Sequence, residues 1–268
     1  MLLSIRHETV YHYTAPLTYT IQQLRLSPRV EPHQQVRSWE VRTAGRRNEF
    51  LDAFGNIGHM LTITGLHDEV RILAGGTVAV DPLDCGRLAG GNTLSPLVFT
   101  VPTRLTEPDG NIVDFAMRHL RPGARSSALL ALAEAICGSV DYRKGATEVT
   151  TPAADALRLG QGVCQDHAHL FLSCCHVHGI PARYVSGYID PGDTEHAASH
   201  AWVDVWVEEI DFTGWVSIDV THACFAGDAH CRLAIGRDYD WAAPVRGVRH
   251  GGGEEALKVH VDVSPIST

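Results

Sequence analysis

The sequence predicts an α+β protein in two parts: a β-rich domain over residues 1–105, then a core over 106–268 in which a cysteine-bearing helix packs on an antiparallel sheet. Three observations lead there. The first hundred residues carry short alternating apolar bursts separated by Pro, Gly, Asn and Asp, the pattern of antiparallel strands and turns. The segment 163–178 is apolar nearly all round, as in a buried central helix. Beyond it, three stretches alternate with period two.

In the first part the bursts are Leu2 to Tyr13, Trp39 to Thr43, Met60 to Thr64, Val70 to Leu73 and Thr77 to Val80. Asp52 to Asn56, DAFGN, reads as a turn between two strands. Pro96, Pro102, Pro108 and Gly110 mark the junction. An amphipathic helix follows over Ser126 to Cys137, and another over Thr151 to Leu159 with Pro152 at its start. The central helix begins near Val163, after Gly160 and Gly162, and stops at Gly179-Ile180-Pro181. The expected strands are Ala182 to Ile189, His200 to Val207 and Trp215 to Val220, while the tail Ala256 to Val263 fits either part.

Composition narrows the function classes. With 268 residues, 44% apolar and 20% charged, the chain can bury a sizeable core. A net charge of −9 and no Lys/Arg run longer than Arg46-Arg47 argue against nucleic acid as a partner. No apolar run approaches 18 residues and the start does not read as a signal peptide, so neither a membrane nor export is expected. Seven scattered cysteines suit reduced thiols in the cytoplasm better than a disulfide framework.

Cys164 falls in the first turn of the central helix, where unpaired N–H groups and the positive end of the helix dipole favour a thiolate. Those N–H groups would also steady an oxyanion. In HAWVDVWV, Ala201, Val203, Val205 and Val207 share one face and His200, Trp202, Asp204 and Trp206 the other. GWVSIDV repeats the pattern with Asp219 on the polar side. A hairpin whose paired numbers sum to 419 sets His200 directly opposite Asp219, with Cβ atoms about 4.5–5.5 Å apart, on the face the helix would cover. Nucleophile, base and orienting carboxylate are then Cys164, His200 and Asp219.

Other features take quieter readings. Cys174 and Cys175 suit structural burial, and Asp166 a helix-start hydrogen bond. Trp202, Trp206 and Trp215 suit core positions, with Trp202 the one best placed to line a cleft. Sixteen histidines invite a zinc hypothesis, but His167/His169 and His176/His178 are spaced i,i+2 on a helix and face apart, and there is no HExxH or CxxC. No metal or other cofactor is expected.

The strings GVCQDHAHL (Gly162 to Leu170), GIPARYVSGYI, SHAWVDVWV, GWVSIDVTH and GRDY (Gly236 to Tyr239) together resemble the bacterial transglutaminase-like family, with a papain-like core. YHYTAPL, LRLSPR and DAFGN resemble the β-rich domain that precedes that core. The resemblance implies catalytic roles for Cys164, His200 and Asp219, with Gly236 to Tyr239 bracing the site. Two departures stand out: His167 replaces a common aromatic, and Val220 and His222 replace the Pro and Asn common after the aspartate. The expected chemistry is attack on a peptide, protein or small amide substrate through a thioester, and hydrolysis is the favoured outcome because water is always present. Transfer to an amine is the alternative, since it needs a site that excludes water; a peptide-binding module without turnover is another.

Overall fold

The computed structural model describes residues 1–89, 94–192 and 199–266. Strands β1 (Leu2–Leu24), β2 (Gln34–Thr43), β3 (Arg46–Leu51) and β4 (Ile57–Val80) come first, then α1 (Gly110–His119), α2 (Ser126–Cys137) and β5 (Asp141–Tyr142). Next are α3 (Ala153–Leu159), β6 (Gln161–Gly162), α4 (Cys164–Val177), β7 (Ala182–Ile189), β8 (Ser199–Glu208) and β9 (Thr213–Asp219). The chain closes with β10 (Cys224–Phe225), β11 (His230–Gly236), α5 (Tyr239–Ala242), β12 (Val245–Gly251) and β13 (Glu255–Pro265). Among the described residues no helix is long and apolar enough to cross a membrane.

The N-terminal strands form a six-stranded antiparallel sheet about β1 and β4. Sequence bursts of four to twelve residues become two strands of 23 and 24 residues, because Gly65, Gly75 and Gly76 sit within β4 rather than ending it. A Cβ at Gly76 would lie 2.0 Å from Ser38 O, so only glycine lets β2 approach there. Asp52 to Asn56 forms the expected turn, with Asp52 Oδ1 accepting the N–H groups of Phe54 and Asn56. Both last strands pair with β1, so this sheet draws on the two ends of the chain and takes up the tail.

The second sheet has the order β10-β9-β8-β7-β11. On one face Ala201, Val203, Val205, Val207, Val216 and Ile218 bury against Ala168, Leu170, Leu172 and Cys175 of α4. On the other, Tyr188, Cys231 and Leu233 join the core of the first sheet, beside a cluster holding Trp202 and Trp215. The edge strand β11 is covered rather than open. Gln34 exchanges two hydrogen bonds with the Arg232 backbone, and Asn56 exchanges two with Ile235, which blunts an edge that would otherwise recruit another strand.

Gly187 stands opposite His200 in the β7–β8 ladder. A Cβ there would meet Cys231 O at 2.2 Å and the Trp202 ring at 2.5 Å. Gly187→Ala is therefore expected to cost about 1–3 kcal/mol as overpacking, read as a lowered urea midpoint at unchanged slope.

Candidate active site

Cys164 is the first residue of α4, half-buried at the helix's open end. Burial of Asp166 raises its carboxyl pKa, and its Oδ2 accepts hydrogen bonds from Val163 N–H (2.8 Å) and Thr147 Oγ1 (2.6 Å). These bonds pin the turn that delivers the cysteine. One turn further along, Tyr239 N–H donates to His169 Nε2 at 3.1 Å, tying the Gly236 to Tyr239 segment to α4. Cys174 and Cys175 are fully buried, and burial pushes both thiols up, Cys174 to about 12.

His200 Nε2 lies 2.8 Å from Asp219 Oδ2, and the Cys164 thiol is near enough to the imidazole to act on its charge. Burial works against a charged His200, but the bond to Asp219 and the neighbouring Cys164 thiol prevail and hold its pKa up at about 10. The three residues singled out from the sequence are thus brought together, with His200 in the middle.

They meet by a different route from the expected one. The β8–β9 ladder pairs Val203 with Ile218, Val205 with Val216 and Val207 with Gly214, numbers that sum to 421 rather than 419. Asp219 is therefore diagonal to His200, and the side chains span the offset. The turn sits at Ile210-Asp211 because Arg87 Nη2 reaches Glu209 (3.2 Å) and Asp211 (2.9 Å), while Glu209 also accepts from Ser126 N–H. The helix also covers the other face. α4 packs on the valine side, whereas His200 stacks on Trp202, ring centroids 6.0 Å apart, on the opposite side. The apolar helix needs the apolar face, so Cys164 meets His200 from the helix terminus rather than from its flank. Trp202 is fully buried and lines no cleft.

Asp219 holds more partners than the sequence revealed. Its Oδ2 lies 2.7 Å from His222 Nδ1 and 3.0 Å from His230 Nε2, and its Oδ1 accepts His222 N–H at 3.2 Å. Although burial works to raise it, donation from His200, His222 and His230 keeps the Asp219 carboxyl well below the usual carboxylate range. His222 was visible as a departure from the family pattern. His230 lies on β11, a strand the sequence did not disclose.

Among the described residues, His200, Asp219 and His222 have ligand-capable atoms within 4.8 Å of one another. Their spacing here is that of hydrogen bonds. Ligands at 2.0–2.1 Å from a tetrahedral zinc stand about 3.3 Å apart, whereas Oδ2 is 2.7 and 2.8 Å from the two nitrogens. Those are hydrogen-bond separations with the carboxylate as hub.

The fold agrees with that of known proteins. Residues 117–220 match the Transglutaminase-like superfamily core, and residues 3–79 match the bacterial transglutaminase-like N-terminal region. The chain carries a transglutaminase-like core behind a bacterial transglutaminase-like N-terminal region. An uncharacterized protein of Mycobacterium leprae is 29% identical over 281 residues, 99% of each chain. One of Mycobacterium tuberculosis is 27% identical over 289 residues, covering 98% of this chain and 92% of its own. A solved structure from Cytophaga hutchinsonii, described as a candidate cysteine protease, superposes with a TM-score of 0.78 at 20% identity. That match covers 100% of this chain and 91% of the other, and it establishes the shared fold. Within the transglutaminase-like core, Cys164, His200 and Asp219 all fall in the matched span.

Proposed function

We propose that this protein is a cysteine-dependent hydrolase of peptide or amide bonds. His200 takes the Cys164 proton, and the thiolate attacks the amide carbonyl carbon. The oxyanion faces the N–H groups at the start of α4. His200 then passes its proton to the departing amine, the C–N bond breaks and a thioester remains. Water, deprotonated by His200, releases the acid and restores the thiol. Asp219 holds the ring in place. The observation that carries this reading is the 2.8 Å bond from His200 to Asp219 with the Cys164 thiol, at the start of α4, beside the same imidazole.

A library of peptides and acyl amides, screened for amine or ammonia release with and without an added primary amine, tests it. Release dependent on Cys164 and unaffected by the added amine is the expected result. Incorporation of the amine into product would reassign the protein as a transferase. Failure of both turnover and labelling of Cys164 by a thiol-reactive amide mimic would favour a binding module. Turnover is also expected to survive dialysis against EDTA, because the nucleophile is a thiolate; loss with EDTA and recovery with zinc would overturn the mechanism.

A further inference from the structure

A cavity of about 170 Å³ opens against the first sheet, walled by Tyr11, Tyr13 and Gln22 of β1, Val245 and Arg249 of β12 and Glu255 of β13. All its lining residues lie in that sheet, none in α4 or in the sheet that carries His200 and Asp219. Its polar walls are nearly all spent on one another. Arg249 Nε lies 3.2 Å from Glu255, Arg249 Nη1 donates to Gly251 O at 2.7 Å, and Arg246 Nη1 is 3.7 Å from Asp240. Thr20 Oγ1 lies 2.9 Å from His67 Nε2. Tyr11 and Tyr13 stand parallel, centroids 6.5 Å apart, and Arg249 covers one face of Tyr13. Gln22 is the exception. The residue is 6% exposed, and its Oε1 is buried with no hydrogen-bond partner among the described residues. Gly247 stands opposite it in the β1–β12 ladder and sets no side chain over it; a Cβ there would lie 2.7 Å from Gln22 Cγ. A buried amide oxygen left unbonded destabilises a fold, and native cores hold few of them. Leucine would fill the same place without that cost.

We propose that this cavity is a binding site for a small, neutral aromatic carboxamide, whose N–H donates to Gln22 Oε1 while its ring packs against Tyr11. Each feature of the cavity selects one property of the ligand. An acceptor without a partner calls for a donor. The end of a glutamine side chain offers an acceptor and a donor side by side, and another primary amide is its complement. Because the charges on the walls are already paired, a neutral group suits the cavity better than a carboxylate. A flat ring suits the aromatic wall. The volume is that of about six waters at ~30 Å³ each, room for a molecule of the size of benzamide. The site stands apart from Cys164 and does not depend on the catalytic reading.

The test is calorimetric titration of the full chain with benzamide as the probe, beside urea denaturation with and without it. Wild type is expected to bind benzamide and to unfold at a higher urea concentration in its presence. Acetophenone keeps the ring and the carbonyl but has a methyl group in place of NH₂, and is expected to bind at least about tenfold more weakly. Gln22→Leu is expected to weaken benzamide by a similar factor. The free variant should keep its urea midpoint or raise it, because a buried, unbonded amide has been removed. Absence of benzamide binding by wild type, or equal binding of benzamide and acetophenone, overturns the proposal and needs no variant. Unchanged affinity in Gln22→Leu overturns it as well, since benzamide held in the catalytic cleft would be indifferent to residue 22. A lowered midpoint in free Gln22→Leu also overturns it, because Gln22 would then serve the core and not a ligand.

Discussion

Cys164→Ala is expected to abolish turnover while leaving substrate binding largely intact, and Asp219→Ala to lower turnover by about 10²–10⁴-fold. The two losses differ in kind. Without the sulfur no thioester forms, so no residual covalent route remains. Without Asp219 the sulfur is present, but His200 loses the 2.8 Å bond that orients its ring. Because Asp219 is also the acceptor for His222 and His230, its removal strands three donors, and a stability loss accompanies the kinetic one. Steady-state kinetics beside urea denaturation separates these effects. An Asp219→Ala protein within twofold of wild-type turnover would remove Asp219 from the mechanism.

Asp204→Ala is expected to cost about 3–5 kcal/mol, the scale for stripping one partner from a buried ion pair. Asp204 is fully buried between Arg183, whose Nε lies 2.8 Å from Oδ2, and Arg232, whose Nη1 lies 2.9 Å from Oδ1. Arg232 continues the network to Glu31 at 2.9 Å, joining the second sheet to the N-terminal part. Removing the carboxylate takes the shared partner from two buried guanidinium groups, while Arg232 keeps Glu31. Burial alone would raise the Asp204 carboxyl, but Arg232 and Arg183 hold it well below the usual carboxylate range. A depressed folded pKa contributes stability that is fully present above the unfolded value of about 3.9 and is lost as pH falls below it. Wild type should therefore lose stability steeply below about pH 4, and Asp204→Ala should show a shallower acid limb from a lower plateau. Chemical denaturation between pH 3 and 7 reads both; a variant within 1 kcal/mol of wild type throughout would show the network to be dispensable.

Local signals determined much of this protein. The serines and apolar period over residues 126–137 match α2, and Ala182–Ile189 matches β7, residue for residue. The glycines and proline around 160–181 bracket α4 to within a residue, and so place Cys164 at its start. Caps, turn residues and periodicity act over a few neighbours, which is why a sequence discloses them.

Tertiary packing decided the rest. Period-two alternation fixed which residues of β8 and β9 share a face, but a slip of two residues preserves every face, so pattern alone could not choose 421 over 419. The contacts of Arg87 with the turn, and the pairing of Trp206 with Trp215 at 5.5 Å, favour the observed register. The same limit hid α1 and β11, the side on which α4 packs, and the gathering of His222 and His230 about Asp219. Local glycines placed Cys164 at a helix start, whereas His200 and Asp219 were singled out through a register that the fold does not adopt and through the family resemblance. Their hydrogen bonds, and the two further histidines that share the carboxylate, depend on distant segments meeting in space, and no local pattern encodes that.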